Sequence, residues 1–158
     1  MRRLGQNFLT AKAIARSIAE AADIQLDDVI LEIGPGRGIL TEAILVKSPR
    51  RLIAIEKDSK LAEFVRGKFY SSENLEVISA DVLGFLRNSN FQITNPKQIQ
   101  NPKSKIENAG YKVVANIPYY ITSHLLRLIF SQKNLPARVV FPCIHRVTGE
   151  GSPGFSEI

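Results

Sequence analysis

The chain has 158 residues, 44% hydrophobic and 23% charged, which is room for one domain with a substantial core and none for a second of ordinary size. No apolar run nears the roughly 18 residues of a membrane span, and the start Met1-Arg2-Arg3-Leu4-Gly5 lacks the apolar stretch of a secretory signal. One cysteine, Cys143, allows no internal disulfide and no cysteine zinc cluster, so a soluble protein of the reducing cytoplasm is expected. The net charge of +6 is uneven. Arg2, Arg3, Lys12 and Arg16 stand without an acid in the first 19 residues, and Arg87 to Lys112 holds five cations against Glu107. Such clustering is the footprint of a polyanion such as RNA, or simply a solvated face.

In chain order, Thr10 to Ala22 reads as a helix, with Ile14, Ile18 and Ala21 on one face and Thr10 as its cap. The run Val29 to Ile33 reads as a buried strand stopped by Gly34-Pro35-Gly36-Arg37-Gly38, after which helical spacing resumes through Leu40, Ala43 and Ile44. A second strand, Arg51 to Ile55, ends at Glu56-Lys57-Asp58. Ser59 is placed to cap the next helix, whose apolar positions are Leu61, Phe64, Val65 and Phe69. Leu75 to Ser79 is a third strand, ending at Ala80-Asp81.

Residues 88–110 have the composition of a long polar loop and contain two similar pieces, Thr94 to Gln98 and Gln100 to Ser104. Loops of this length tend to be functional or disordered, and disorder is expected here. Tyr111 to Ala115 is a fourth strand, followed by Asn116-Ile117-Pro118-Tyr119-Tyr120. A helix from about Thr122 to Ser131 then leads to a fifth strand, Ala137 to Phe141. Alternating strands and helices predict an α/β fold with a mainly parallel sheet, in which ligands bind beyond the carboxyl ends of the strands near the topological switch point. Gly34, Glu56, Asp81 and Asn116 all fall at such ends.

Each feature has a plain structural alternative. The glycine turn lets backbone approach a ligand, but tight turns also use glycine. Glu56, 20 residues after Gly36, suits ribose hydroxyls, as it would in a nicotinamide-dependent dehydrogenase. Asp81 suits an adenine amino group. Asn116 has a more specific logic. The exocyclic amine of adenine is a poor nucleophile because its lone pair is delocalised into the ring. The Asn116 oxygen and a backbone carbonyl held by the rigid Pro118 can bind its two hydrogens and favour a pyramidal nitrogen. Tyr119 offers a face on which a flipped-out base can stack. The same four residues could equally form a turn with a packed tyrosine. His124, His145 and Cys143 have no partners at ligand spacing, and no metal is expected.

Leu4-Gly5-Gln6-Asn7-Phe8-Leu9, Glu32-Ile33-Gly34-Pro35-Gly36-Arg37-Gly38, Ile55-Glu56-Lys57-Asp58, Ala80-Asp81 and Ala115-Asn116-Ile117-Pro118-Tyr119-Tyr120-Ile121 occur in order. In this the chain resembles the small-subunit ribosomal RNA adenine N6,N6-dimethyltransferases over roughly residues 2 to 140. The resemblance implies a Rossmann-like, three-layer class I methyltransferase fold and S-adenosyl-L-methionine as cofactor. By that resemblance Asn7, Leu9, Gly34, Gly36, Glu56, Asp81 and Asn116 bind the cofactor, with Gly34 under its methionine, Glu56 on the ribose and Asp81 on the adenine. Asn116, Pro118 and Tyr119 serve the target adenosine. It further implies dimethylation of two adjacent adenosines in the 3′-terminal hairpin of the small-subunit RNA, with the immature small ribosomal subunit as partner, no membrane, and a monomer.

After about Val140 the resemblance stops. On this reading residues 1–141 form an incomplete methyltransferase domain with about five of the family's seven strands. Residues 142–158, rich in glycine, proline and serine, form a disordered tail, and the family's helical C-terminal domain is missing. The fifth strand would then present an open apolar edge. A frameshift or an early end of the reading frame would account for such a tail. Three further readings stay open: a fragment that binds without catalysing, a large-subunit RNA adenine methyltransferase, and a dehydrogenase, which leaves Asn116 to Tyr119 unexplained.

Overall fold

The computed structural model describes residues 3–87, 111–117, 119–132, 135–142 and 155–157, giving the backbone alone for 3–10, 119, 120, 142 and 155–157. Pro118, the 88–110 segment, Cys143 and His145 lie outside the described residues.

Five strands, β1 (Val29–Ile33), β2 (Arg51–Glu56), β3 (Leu75–Ser79), β4 (Tyr111–Ala115) and β5 (Arg138–Pro142), run parallel, and β6 (Phe155–Glu157) pairs antiparallel with β5. The sheet order is β3-β2-β1-β4-β5-β6, so the chain reverses its direction of travel between β1 and β4. Every residue of β1 and β4 except Lys112 is buried, as expected of strands covered on both faces. The helices are α1 (Arg3–Ala21), α2 (Ile39–Leu45), α3 (Ser59–Lys68), α4 (Val82–Arg87) and α5 (Tyr119–Phe130).

Alternation along β1 divides the core in two. Val29, Leu31 and Ile33 pack with Leu86 of α4 and with Leu125 and Ile129 of α5. Ile30 points the other way, among Ala15, Ile18 and Ala19 of α1 and Leu40 and Ile44 of α2. Helix α3 lies beside α2, with the Lys68 ammonium 3.4 Å from Glu42. The far end of the sheet is tied down by polar contacts. The Lys112 ammonium meets Asp28 at 2.7 Å, and the Arg138 guanidinium donates to the Ala21 carbonyl at 2.6 Å.

The structure departs from the sequence expectations at five places. Helix α1 begins at Arg3, so Thr10 lies inside it; no proline interrupts the preceding segment. Asp58, not Ser59, caps α3, its Oδ1 accepting from the amides of Lys60 at 2.8 Å and Leu61 at 3.3 Å. Phe64, expected on the buried face of α3, is 52% exposed, because Ala62 and Val65 face inward. Helix α4, with only six residues, was not anticipated. Within the expected disordered tail, Phe155–Glu157 pairs with Val140 to Pro142, so the outer edge of β5 is covered there. The rest of the tail lies outside the described residues.

Replacing Ile30, fully buried between β1's neighbours and α1–α2, by alanine removes three heavy atoms from a packed site. The expected cost is about 2–5 kcal/mol, read as a lower urea midpoint with an unchanged slope.

Candidate functional site

The parallel register brings the expected residues into one row. Ile33 pairs with Ala115 on one side and Ile55 on the other, and Glu56 pairs with Ser79. Gly34, Asn116, Glu56 and Asp81 therefore emerge at the same edge of the sheet, in the strand order β4, β1, β2, β3. Three gaps of about 4.8 Å separate β4 from β3, so the row spans about 14 Å. The switch point between β1 and β4 lies at its Gly34–Asn116 end.

The loop from Gly34 to Gly38 leads from β1 into α2. Gly34, Gly36 and Gly38 have φ of 69°, 56° and 76°, in the left-handed region that side chains disfavour. Two of the three also meet close neighbours. A Cβ on Gly34 would lie 3.2 Å from the Ile117 side chain, and one on Gly38 would collide with the Phe69 ring at 2.6 Å. Beside Gly36 there is open space, from which the backbone can be approached closely.

Glu56 holds this loop in place. It is only 8% exposed; its Oε2 accepts from the Gly36 amide and its Oε1 from the Asp58 amide, both at 3.0 Å. The carboxylate thus ties the glycine loop to the start of α3, and its remaining lone pairs can accept hydroxyl donors. Asp81 is exposed, and its carbonyl accepts the first-turn amide of Phe85 at 2.9 Å as α4 begins. Asn116 is exposed and Ile117 half-buried. Tyr119 opens α5, and its side chain, like those of Asn7 and Leu9 in α1, lies outside the described residues. His124 accepts through Nε2 from Arg87 at 2.9 Å, a contact between α5 and α4.

Glu32 was not singled out from the sequence. It is fully buried on the α2 side of β1, where the Thr41 hydroxyl donates to its Oε2 at 2.8 Å while Oε1 has no partner among the described residues. Burial raises its pKa to about 8; the Thr41 hydroxyl and backbone oppose the rise and the charge of Glu56 adds to it. The available signal was a lone acid inside an otherwise apolar strand, two residues before the glycine turn.

A separate cavity lies elsewhere. It has a volume of about 390 Å³ and lies between α1 and α2, lined by Arg16, Glu20, Ala43 and Lys47 among others. No residue of the strand-end row lines it.

The family model "Ribosomal RNA adenine dimethylase" matches residues 1–156. The chain belongs to this family. The "Ribosomal RNA small subunit methyltransferase A" of Dehalococcoides mccartyi is 38% identical over 137 residues, 87% of this chain and 42% of that protein. Its namesake from Leuconostoc mesenteroides is 38% identical over 125 residues, 79% of this chain and 39% of that protein. The chain thus spans about two-fifths of the length of these curated relatives. Among solved structures, a dimethyladenosine transferase from Plasmodium falciparum is 27% identical with a TM-score of 0.60, covering 82% of this chain and 40% of that one. The 23S rRNA methyltransferase ErmE is likewise 27% identical with a TM-score of 0.60, over 81% of this chain and 44% of that one. The Rossmann-like methyltransferase fold is therefore that of the family, and the dehydrogenase reading is set aside.

Glu32 makes the fold pH-sensitive. Its folded pKa lies above the unfolded value of 4.5, so from about pH 4.5 to 8 the folded chain binds the extra proton. Its contribution is full below pH 4.5 and is lost as pH rises toward 8. Glu32→Gln, which cannot ionise, is expected to flatten that decline in urea titrations run at pH 5 and pH 8. Equal declines in both proteins would contradict the assignment.

Proposed function

We propose that the strand-end row binds S-adenosyl-L-methionine and that the chain's fold serves N6-dimethylation of adenosines in small-subunit ribosomal RNA. The observation that carries this reading is the row itself, with glycine, glutamate, aspartate and asparagine side by side across the switch point over about 14 Å, the scale of an extended nucleoside conjugate. The residues present fit the cofactor. The open side of Gly36 accommodates a ligand against backbone, and Glu56 can accept from a ribose diol beside it. Asp81, one strand further out, can accept from the adenine amino group. When bound, the cofactor supplies an electrophilic methyl group on a sulfonium.

Asn116, at the Gly34 end of the row, serves the target as well as the cofactor. At the exposed end of β4, next to Gly34, its side-chain oxygen can accept a hydrogen from the adenine amine. That acceptance withdraws the nitrogen lone pair from ring conjugation as it attacks. Asn116 acts as an acceptor, not as a strong base, and orientation of the two reactants carries much of the acceleration. Pro118 would supply rigidity to the second acceptor and Tyr119 a stacking face. Asn7 and Leu9 would close over the cofactor from α1.

The small-subunit target, including the paired hairpin adenosines and the immature subunit as partner, rests on the 38% identity to enzymes named for that subunit. The 27% identity to a 23S rRNA enzyme keeps the large subunit as a second reading. Action as a monomer in the cytoplasm belongs to the same proposal. Among the described residues no helix is long and apolar enough to cross a membrane.

Calorimetry with S-adenosyl-L-methionine tests the cofactor site, and Glu56→Ala is expected to weaken binding at least tenfold, as loss of a charged acceptor costs about 1.5–3 kcal/mol. Transfer of labelled methyl groups to undermethylated small or large subunits tests the reaction. Asn116→Ala is expected to lower turnover by about 10²–10³. Undiminished turnover would remove Asn116 from its role, and exclusive labelling of the large subunit would favour the second reading.

A further inference from the structure

One surface beside the row is formed by residues that have no part in the proposed cofactor and target sites. Lys60 and Phe64, one helical turn apart, face outward on α3 while Ala62 and Val65 face the sheet. Arg37 stands opposite them, exposed in the glycine loop between Gly36 and Gly38. Together with Leu61 these side chains line a shallow cavity of about 310 Å³ that contains no acidic residue. Lys57, also exposed, precedes the helix cap. Glu63 is the one outward acid of α3 and is not part of the lining.

This combination is selective. A phenyl ring left 52% exposed between two cations is a poor solvent face and a good receptor for an unstacked base with its flanking phosphates. Nothing in the packing of α3 requires an aromatic there, since its buried contacts come from Ala62 and Val65. An acidic protein segment would match the charges but leave the ring without a planar partner. Because Arg37 belongs to the loop that Glu56 fixes, the surface is held in register with the strand-end row through the Gly36 amide.

We propose that Arg37, Lys60 and Phe64 form an RNA docking surface. It holds a single-stranded segment of the substrate outside the target nucleotide, two phosphates on the cations and one base on Phe64. The inference rests on the proposed RNA substrate, but on residues outside the proposed reaction.

The test uses the full chain and fluorescence anisotropy with an RNA hairpin whose loop carries two adjacent adenosines, over a series of salt concentrations and without cofactor. Arg37→Ala/Lys60→Ala is expected to reduce the slope of log affinity against log salt by about 1.4, at about 0.7 for each single-strand phosphate no longer neutralised. Phe64→Ala is expected to weaken binding about tenfold, with Phe64→Tyr restoring it and Phe64→Leu failing to. Lys60→Ala and Phe64→Ala should leave calorimetric affinity for S-adenosyl-L-methionine unchanged, which shows that they fold. An unaltered salt slope in the double variant, equal binding by Phe64→Leu and wild type, or no RNA binding by the wild type overturns the docking surface. Docking through these residues without methyl transfer to any subunit overturns the proposed reaction and leaves the surface standing.

Discussion

Both oxygens of the Glu56 carboxylate accept backbone amides, one from Gly36 in the turn after β1 and one from Asp58 at the start of α3. A loop with three residues at positive φ has little intrinsic preference for one shape, and this group supplies the missing constraint. Its burial strengthens both bonds, since little water competes for the oxygens. The turn, the cap of α3 and the position of Arg37 all follow from that tie. The phenyl ring of Phe69 completes it by filling the space that a side chain at residue 38 would need.

The sheet then turns a local geometry into a site. Parallel pairing without a slip between β3, β2, β1 and β4 sets four strand ends level, so residues far apart in sequence share one edge. A shift of one residue in any pair would turn that strand's side chains to the opposite face. The buried Glu32 adds a second link, from β1 to Thr41 of α2, made with a carboxyl that holds its proton to about pH 8. Adjacent carboxyls thus differ in role because their surroundings differ. Glu56 meets two amide donors at the edge of solvent, whereas Glu32 meets one threonine in the core.

Much of this was legible in the sequence. Val29 to Ile33 and Tyr111 to Ala115 read as strands because both faces are covered, which leaves runs apolar but for Glu32 and Lys112. Glycine at 34, 36 and 38 and polar residues at strand ends were legible because backbone conformation and ligand chemistry restrict residue choice there. Less was legible where tertiary contacts decide. Asp58 and Ser59 are both able caps, and only the amide geometry selects Asp58. The three residues of β6 have no periodicity of their own and are ordered by pairing with β5. Phe64 fits the apolar spacing of α3, yet the helix buries Ala62 and Val65 and leaves the ring in solvent. Glu32 was hidden by its place in a glycine motif, where the turn that follows carries the stronger signal.

In the proposed function a single cofactor spans the strand ends from β3 to β4. Amide hydrogen exchange of the full chain with and without S-adenosyl-L-methionine reads out that span. Slowed exchange is expected together at Gly34 to Gly38, Glu56 to Asp58, Ala80 to Val82 and Asn116 to Ile117, with little change at α1–α2 contacts such as Ala19 and Ala43. Protection centred on the α1–α2 cavity, or confined to the glycine loop with none at Asp81 and Asn116, would contradict it.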